Sequence, residues 1–526
     1  MKSYTQHLKS TREFGEKTNI LKKPVLRSSA IFPVLQNDFY SSSIHFLGYW
    51  LLKRNIREVS LVITLRDSSG SILLRKIDTI DSAKAFTIEL SKLLTEVKFL
   101  EKNFVGSIET EFNTTRDMVF PYPALVLEFY NESFNTCVHT LGRIYNDLED
   151  LNENNEFHVP ETGFDIYETD DLHSFLSFVN GPIKNHDGFI KYTITNSDSQ
   201  KSNGSFHIGE INPFETKFIH LSEYIPKLSE ILDGESGSIS LSHNFEGFYP
   251  RFLVGNIQNS FPSISFTHSY YDCSSQNSES DYWNRSNENH YDSSVYIPIF
   301  NKNDQFTNLI LYPNLSPSDF TLQINIHRKN GSEITNFPEY VHIVQDEKKL
   351  TKIDLGNIIS NIEPNNNDVF CAHVITDFKN KKIPSRIKFG LDIGIKNSKS
   401  KLPCNICFNT KMGNPYLENK PGSFHWTPIF KNRFPVLTIG NFSTLKNYTR
   451  NANMELTFYR AEDSTSKTEK FTLNANCERR ITIDDFNLDD FLKTEGWMTI
   501  KSDNPYIQGF YFHLNSSGSV SGDHFF

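Results

Sequence analysis

Phe86-Thr-Ile-Glu-Leu-Ser-Lys-Leu-Leu-Thr-Glu-Val97 passes from a short alternating run into apolar residues at helical spacing. Three other segments make the same passage: Phe218-Ile-His-Leu221 before SEYIPKLSEIL, Lys352-Ile-Asp-Leu355 before GNIISNI, and Ile481-Thr-Ile-Asp-Asp485 before FNLDDFL. From Ile88 to Ile219, Ile353 and Ile483 the steps are 131, 134 and 130 residues. Self-similarity at a fixed period is the signature of a repeat architecture.

The flanks repeat as well. Upstream lie the alternating runs Val59–Leu65, Phe189–Ile194, Leu322–His327 and Met454–Tyr459. The first and third are followed by the turns Arg66-Asp-Ser-Ser-Gly70 and Arg328-Lys-Asn-Gly331, which is a hairpin signature. Downstream of each helical stretch comes a strand-like run: Gly106–Thr110, Gly237–Leu241, Val369–Val374 and Trp497–Lys501. A second follows in each unit: Ala124–Glu128, Arg251–Gly255, Arg386–Gly390 and Gly509–His513.

Many short alternating strands with turn signals between them are the mark of a β-sandwich. The sequence predicts a mainly β chain of four tandem β-sandwich repeats of about 130 residues, Ig-like in architecture, each with one short helix. The Cys…Trp…Cys spacing of true immunoglobulin domains is absent. The expected division is a basic flexible tail at 1–40, repeat 1 at 41–146, an acidic linker at 147–171 and repeat 2 at 172–294. Repeat 3 follows at 295–423 and repeat 4 at 424–526. Pro298 and Pro428 fall at the same place in Val295–Phe300 and Phe424–Phe430, which predicts edge strands or bulges there.

Composition narrows the function classes. The 526 residues carry 53 Lys+Arg and 63 Asp+Glu, a net charge of −10, which argues against a nucleic-acid partner. No apolar run approaches the roughly 18 residues of a membrane span. The first 29 residues hold seven basic residues but no apolar signal core, so the cytoplasm is the default compartment, with export by a non-standard route kept open. The acidic linker, with ten acids and no Lys or Arg, lacks the spacing of an EF-hand loop and reads as solvated. Six cysteines are too few for a disulfide-stapled fold. Cys404-Asn-Ile-Cys407 has no second pair to complete a zinc site, and reads as two strand cysteines near a turn. GxSxG, Walker A, HExxH and the Rossmann glycine fingerprint are all missing.

Two places carry candidate chemistry. Thr267-His-Ser-Tyr-Tyr-Asp-Cys273 closes repeat 2, and in an extended strand His268, Tyr270 and Asp272 share one face. Cys137-Val-His139 is a faint counterpart in repeat 1. The Ser/Asn-rich insert 274–294 holds Tyr282, Trp283, His290 and Tyr291, and aromatics among small polar residues are what binding surfaces use. Two readings follow. The first is a non-catalytic tandem β-sandwich protein that binds or organises a polar partner, such as a bacterial surface glycan or a protein. Its ligand-binding residues would be His268, Tyr270, Tyr271, Asp272, Tyr282, Trp283 and His290. The second is a metal-dependent or acid/base enzyme with a site assembled between repeats 2 and 4, where His268, Asp272 and His524 are the candidate metal ligands. No cofactor is predicted, although those three residues are compatible with a divalent metal. The balance falls against an enzyme, because no residue set presents complete catalytic geometry.

Overall fold

A computed structural model describes residues 24–119, 123–139, 161–245, 252–271, 282–283, 288–313, 318–344, 347–363, 368–380, 383–384, 388–413 and 415–526. It is mainly β and contains four β-sandwiches in tandem. Two compact units divide between Tyr271 and Asp272, with two sandwiches in each.

The first sandwich is built from β1 (Arg27–Gln36), β2 (Ser41–Leu47), β3 (Val59–Asp67), β4 (Ile72–Ile80), β5 (Ala85–Glu89), β6 (Phe104–Asn113), β7 (Leu125–Tyr130) and β8 (Asn135–His139). Its two antiparallel sheets run β1-β6-β3-β4 and β5-β2-β7-β8. The helix Leu90–Glu96 links β5 to β6 and buries Leu90, Leu93 and Leu94. Those positions follow the helical period read from the opening stretch.

The second sandwich repeats this order. It holds β9 (Glu161–Thr162), β10 (Asp165–Ile166), β11 (Leu172–Val179), β12 (Asn185–Thr195), β13 (Lys201–Ile211), β14 (Thr216–His220), β15 (Gly237–His243), β16 (Leu253–Gln258), β17 (Ser263–His268) and β18 (Tyr270–Tyr271). Its sheets run β13-β12-β15-β9-β18, with β10 also on β15, and β14-β11-β16-β17. After β19 (Tyr282–Trp283), the third sandwich follows with β20 (Ser293–Ile299), β21 (Gln305–Leu311), β22 (Phe320–Arg328), β23 (Glu333–Ile343), β24 (Thr351–Asp354), β25 (Phe370–Phe378), β26 (Ile383–Pro384), β27 (Lys388–Ile395), β28 (Cys404–Asn409) and β29 (Lys411–Met412). The fourth uses β30 (Ser423–Phe430), β31 (Pro435–Asn441), β32 (Ala452–Arg460), β33 (Ser466–Leu473), β34 (Glu478–Thr482), β35 (Glu495–Ser502), β36 (Ile507–Leu514) and β37 (Val520–His524). The orders β23-β22-β25-β20-β29 with β24-β21-β27-β28, and β30-β35-β32-β33 with β34-β31-β36-β37, match the first two sandwiches.

Register makes the equivalence residue-specific. Ile88 pairs Ile44, Ile219 pairs Leu176, Ile353 pairs Leu309 and Ile481 pairs Leu437. In the fourth copy the equivalent residue is therefore Ile481 rather than Ile483. A short 3-10 turn at Asp485–Asn487 delays the helix there, and Leu488–Phe491 follows it.

Several elements lie where the sequence placed none. Arg27–Gln36, expected within a flexible tail, is β1, because its apolar residues pair with β6 and bury against the core. Asp165–Ile166, expected in the acidic linker, is β10 on β15. Pro428 lies on the edge strand β30, opposite Trp497. Pro33 and Pro298 occupy the same register, opposite Ser107 and Cys371.

Within each unit the two sandwiches are joined by the same device. In the first unit, Ser68 in the β3–β4 turn accepts a hydrogen bond from Thr216 N at 3.0 Å. Gly70, with φ +90°, brings that turn so close that a Cβ would meet Pro213 O at 2.4 Å. In the second unit, Lys329 O accepts from Glu478 N at 3.0 Å, and Gly331, with φ +88°, lies against Cys477. A left-handed turn glycine is what allows such an approach. The Arg66 guanidinium stacks on Phe214 at 4.4 Å and pairs with the buried Glu109. In the second unit, Tyr296 Oη donates to Glu478 at 2.8 Å, Arg480 pairs with Glu478, and Arg480 also donates to Ile299 O at 2.8 Å.

Candidate functional site

β8 and β17 are the outer strands of their sheets, and they meet where the two sandwiches of the first unit touch. Phe266 N donates to Thr136 Oγ1 at 3.3 Å, and the Phe129 and Phe266 rings meet edge to face at 4.8 Å. At the far end of this seam stand His139 and His268. Their Nε2 atoms are 3.2 Å apart, with ring centroids at 4.5 Å and planes at 88°. His268 is only 3% exposed, and its Nδ1 lies 2.8 Å from Ser269 O. A carbonyl can only accept, so Nδ1 donates to it.

The expected shared face of His268, Tyr270 and Asp272 is interrupted. The strand breaks at Ser269, whose backbone N donates to Phe252 O at 2.9 Å and whose hydroxyl accepts from Phe252 N at 3.0 Å. Beyond the break, Tyr270 and Tyr271 pair with Thr162 and Glu161 in the other sheet. Asp272 lies outside the described residues.

In the second unit, Tyr282 and Trp283 form a ribbon with Pro384 and Ile383. His290, expected on a binding loop, is buried to 4% exposure and bonded to Glu418 at 2.5 Å and Thr444 Oγ1 at 3.2 Å. His524 closes β37, with Nδ1 2.8 Å from Phe525 O. His513 is buried and bonded to Ser521 Oγ at 3.1 Å. Cys404 and Cys407 are both buried on β28, and residues three apart in a strand point to opposite faces.

Two constellations were not read from the sequence. Ser43 Oγ lies 2.7 Å from His45 Nε2, and Glu128 Oε2 lies 3.0 Å from that hydroxyl and 2.9 Å from the same imidazole nitrogen. Thr87 holds Nδ1 at 3.1 Å, and Asn135 donates to the other Glu128 oxygen at 2.9 Å. A Ser–His–carboxylate relay needs the carboxylate on the nitrogen opposite the hydroxyl. Here it competes for the nitrogen that faces Ser43, so the group is a hydrogen-bonded knot. Ser43 and His45 share a strand face, but Glu128 joins them only through the β2–β7 register, which local sequence does not carry.

The second is a shallow depression of about 510 Å³ across β33, β32 and β35, lined by Asn453, Glu455, Lys470, Thr472, Lys501 and Asp503 among others. Lys470 Nζ lies 2.9 Å from Glu455, and Lys501 Nζ lies 3.8 Å from it. The hydrogen bond from Lys470 holds the Glu455 carboxyl below its ordinary range. Asn453 donates to Asp503 at 2.7 Å and accepts from Thr472 at 3.2 Å. The polar alternation Asn453, Glu455, Thr457 was the available signal.

Among the described residues no helix is long and apolar enough to cross a membrane. No family model matches the chain. No curated protein matches it either. Among solved structures it is similar to one described as "Crystal structure of tetra-tandem repeat in extending region of large adhesion protein". That alignment covers 89% of this chain and 90% of the other at 8% identity, with a TM-score of 0.09, too low to support an argument.

Proposed function

We propose that the chain is a non-catalytic tandem β-sandwich protein that binds a polar partner, with a surface glycan as the chemistry that fits best. The observation that carries this reading is the open depression on the fourth sandwich. It offers amide, hydroxyl, ammonium and carboxylate groups side by side on a rigid sheet, an inventory suited to hydroxyl-rich ligands. The acid/base alternative gains no such support: the strand carrying His268 breaks at Ser269 before Tyr270, Asp272 lies outside the described residues, and the separate Ser43–His45–Glu128 knot has its carboxylate on the wrong nitrogen.

A glycan array probed with the purified chain, with Asp503→Ala and with Trp283→Ala tests the proposal. Binding that drops at least tenfold in Asp503→Ala is expected, corresponding to about 1.4 kcal/mol. No binding, or binding unchanged in both variants, overturns it.

A further inference from the structure

We infer, resting on the glycan reading above, that the depression on the fourth sandwich selects acidic saccharides, with Lys501 receiving the carboxylate of a uronic-acid residue.

The balance of charge is the first observation. Lys470 and Lys501 line the depression, and Arg450 donates to Asp503 O beside it. Against these three cations stand the carboxylates of Glu455 and Asp503, so the spot is locally positive in a chain of net charge −10. The chain itself already occupies both carboxylates. Asp503 accepts from Asn453 N at 2.9 Å and from Asn453 Nδ2 at 2.7 Å, and Glu455 is held by Lys470 at 2.9 Å.

The second is the difference between the two lysines. Lys501 Nζ lies 3.8 Å from Glu455, beyond hydrogen-bond reach, and its side chain is 60% exposed. An exposed ion pair of that length is worth little, so a ligand carboxylate displaces it at small cost. A carboxylate that meets the ammonium at hydrogen-bond distance gains a charge-assisted bond, about twice as strong as a neutral one.

The third is register, which favours a sugar over a bare anion. Lys470, Glu455, Lys501 and Phe424 form one row across β33, β32, β35 and β30. Residues directly opposite each other on neighbouring strands share a face and lie within contact reach. Phe424 is half-buried, so an aromatic side chain borders the Lys501 ammonium. A pyranose has an apolar C–H face as well as polar edges. An aromatic beside an ammonium therefore suits a sugar ring that carries a carboxylate.

The test prints uronic-acid oligosaccharides beside their carboxyl-reduced counterparts, which differ only in the charged group, and probes both with the full chain. At low ionic strength the acidic forms are expected to bind about tenfold tighter than the reduced ones, a gap that narrows as salt screens the ammonium. In Lys501→Gln the gap should close to within about twofold, and Lys501→Arg, which keeps the charge, should retain it. Lys501 is exposed, so neither change threatens folding. Equal binding of the two forms, or a preference kept in Lys501→Gln, overturns the selectivity for acidic sugars and leaves the glycan reading standing. Binding of neither form also overturns it, and an array with no bound glycan of any kind overturns the glycan reading as well.

Discussion

At the scale of single residues, two buried imidazoles of the second unit resist protonation. Desolvation pushes His373 down to about 3, with the neighbouring His327 adding to the effect. His327 is lowered for the same first reason. The Nε2 atoms of both are buried without a hydrogen-bond partner. Around them stand Phe442 just after β31 and Tyr291 before β20, with Glu333 on β23 acting on His327 and Tyr291. A histidine whose folded pKa lies below its unfolded value binds fewer protons in the native state, so stability falls as pH drops from about 6.5 toward 3. Each tenfold loss of proton affinity on folding corresponds to about 1.4 kcal/mol, so the cost at His373 is on the order of a few kcal/mol. Urea melts between pH 4 and 7 should show this slope, and His373→Gln should flatten it. An unchanged slope would mean that other groups control the acid transition.

At the scale of elements, one local device recurs in three sandwiches. Ser42 Oγ accepts from Leu35 N at 2.9 Å and donates to Leu35 O at 2.7 Å. Ser174 does the same with Tyr167 at 2.7 and 2.9 Å, and Thr307 with Phe300 at 2.8 and 3.1 Å. Each hydroxyl clasps β2, β11 or β21 to the end of β1, β10 or β20 in the opposite sheet. By register the fourth copy has Pro435 in this place, which can do neither. Ser42→Ala, Ser174→Ala and Thr307→Val should each cost about 1–2 kcal/mol, since a buried backbone pair loses its partner. Denaturant titration measures this, and a neutral Thr307→Val would show that the backbone pair is satisfied elsewhere.

The same scale shows how much was legible in advance. The hairpins, the helix after the fifth strand and the strand pair beyond it are local signals of alternation and spacing, so they were readable. The clasp was not: a lone Ser or Thr in a strand has no distinctive neighbour in sequence. The edge strands β4, β13, β23 and β33 show in their burial what their composition implies. They carry charges, and β23 also carries Pro338, which discourages further strand addition.

At the scale of the molecule, each unit is a fused pair of sandwiches. The second unit shares a core in which Phe442, Phe510, Phe512 and Val520 of the fourth sandwich join the cluster of the third. Glu478, whose side chain is fully buried, accepts from Tyr296 across that junction and pairs with Arg480 beside it on β34, whose guanidinium in turn reaches Ile299 O of the third sandwich. Glu478→Ala would leave the Arg480 guanidinium without its carboxylate, at a cost of about 3–5 kcal/mol. Hydrogen exchange should then rise together in β20–β28 and β30–β37. A rise confined to β34 and its neighbours would mean that the two sandwiches open independently.

The sequence by itself determined the number of repeats, their β character and the place of the helix in each, because alternation and turn chemistry act within a few residues. It also supplied His268 as a residue of interest. Only the tertiary structure decided which residues meet. His139 comes to His268, 129 positions away, because two outer strands from different sandwiches pack together. Glu128 comes to Ser43 and His45 through strand register. His290, which composition placed on a binding surface, is turned inward onto Glu418 and Thr444. Register and inter-sandwich packing depend on residues far apart in the chain, and no local period records them.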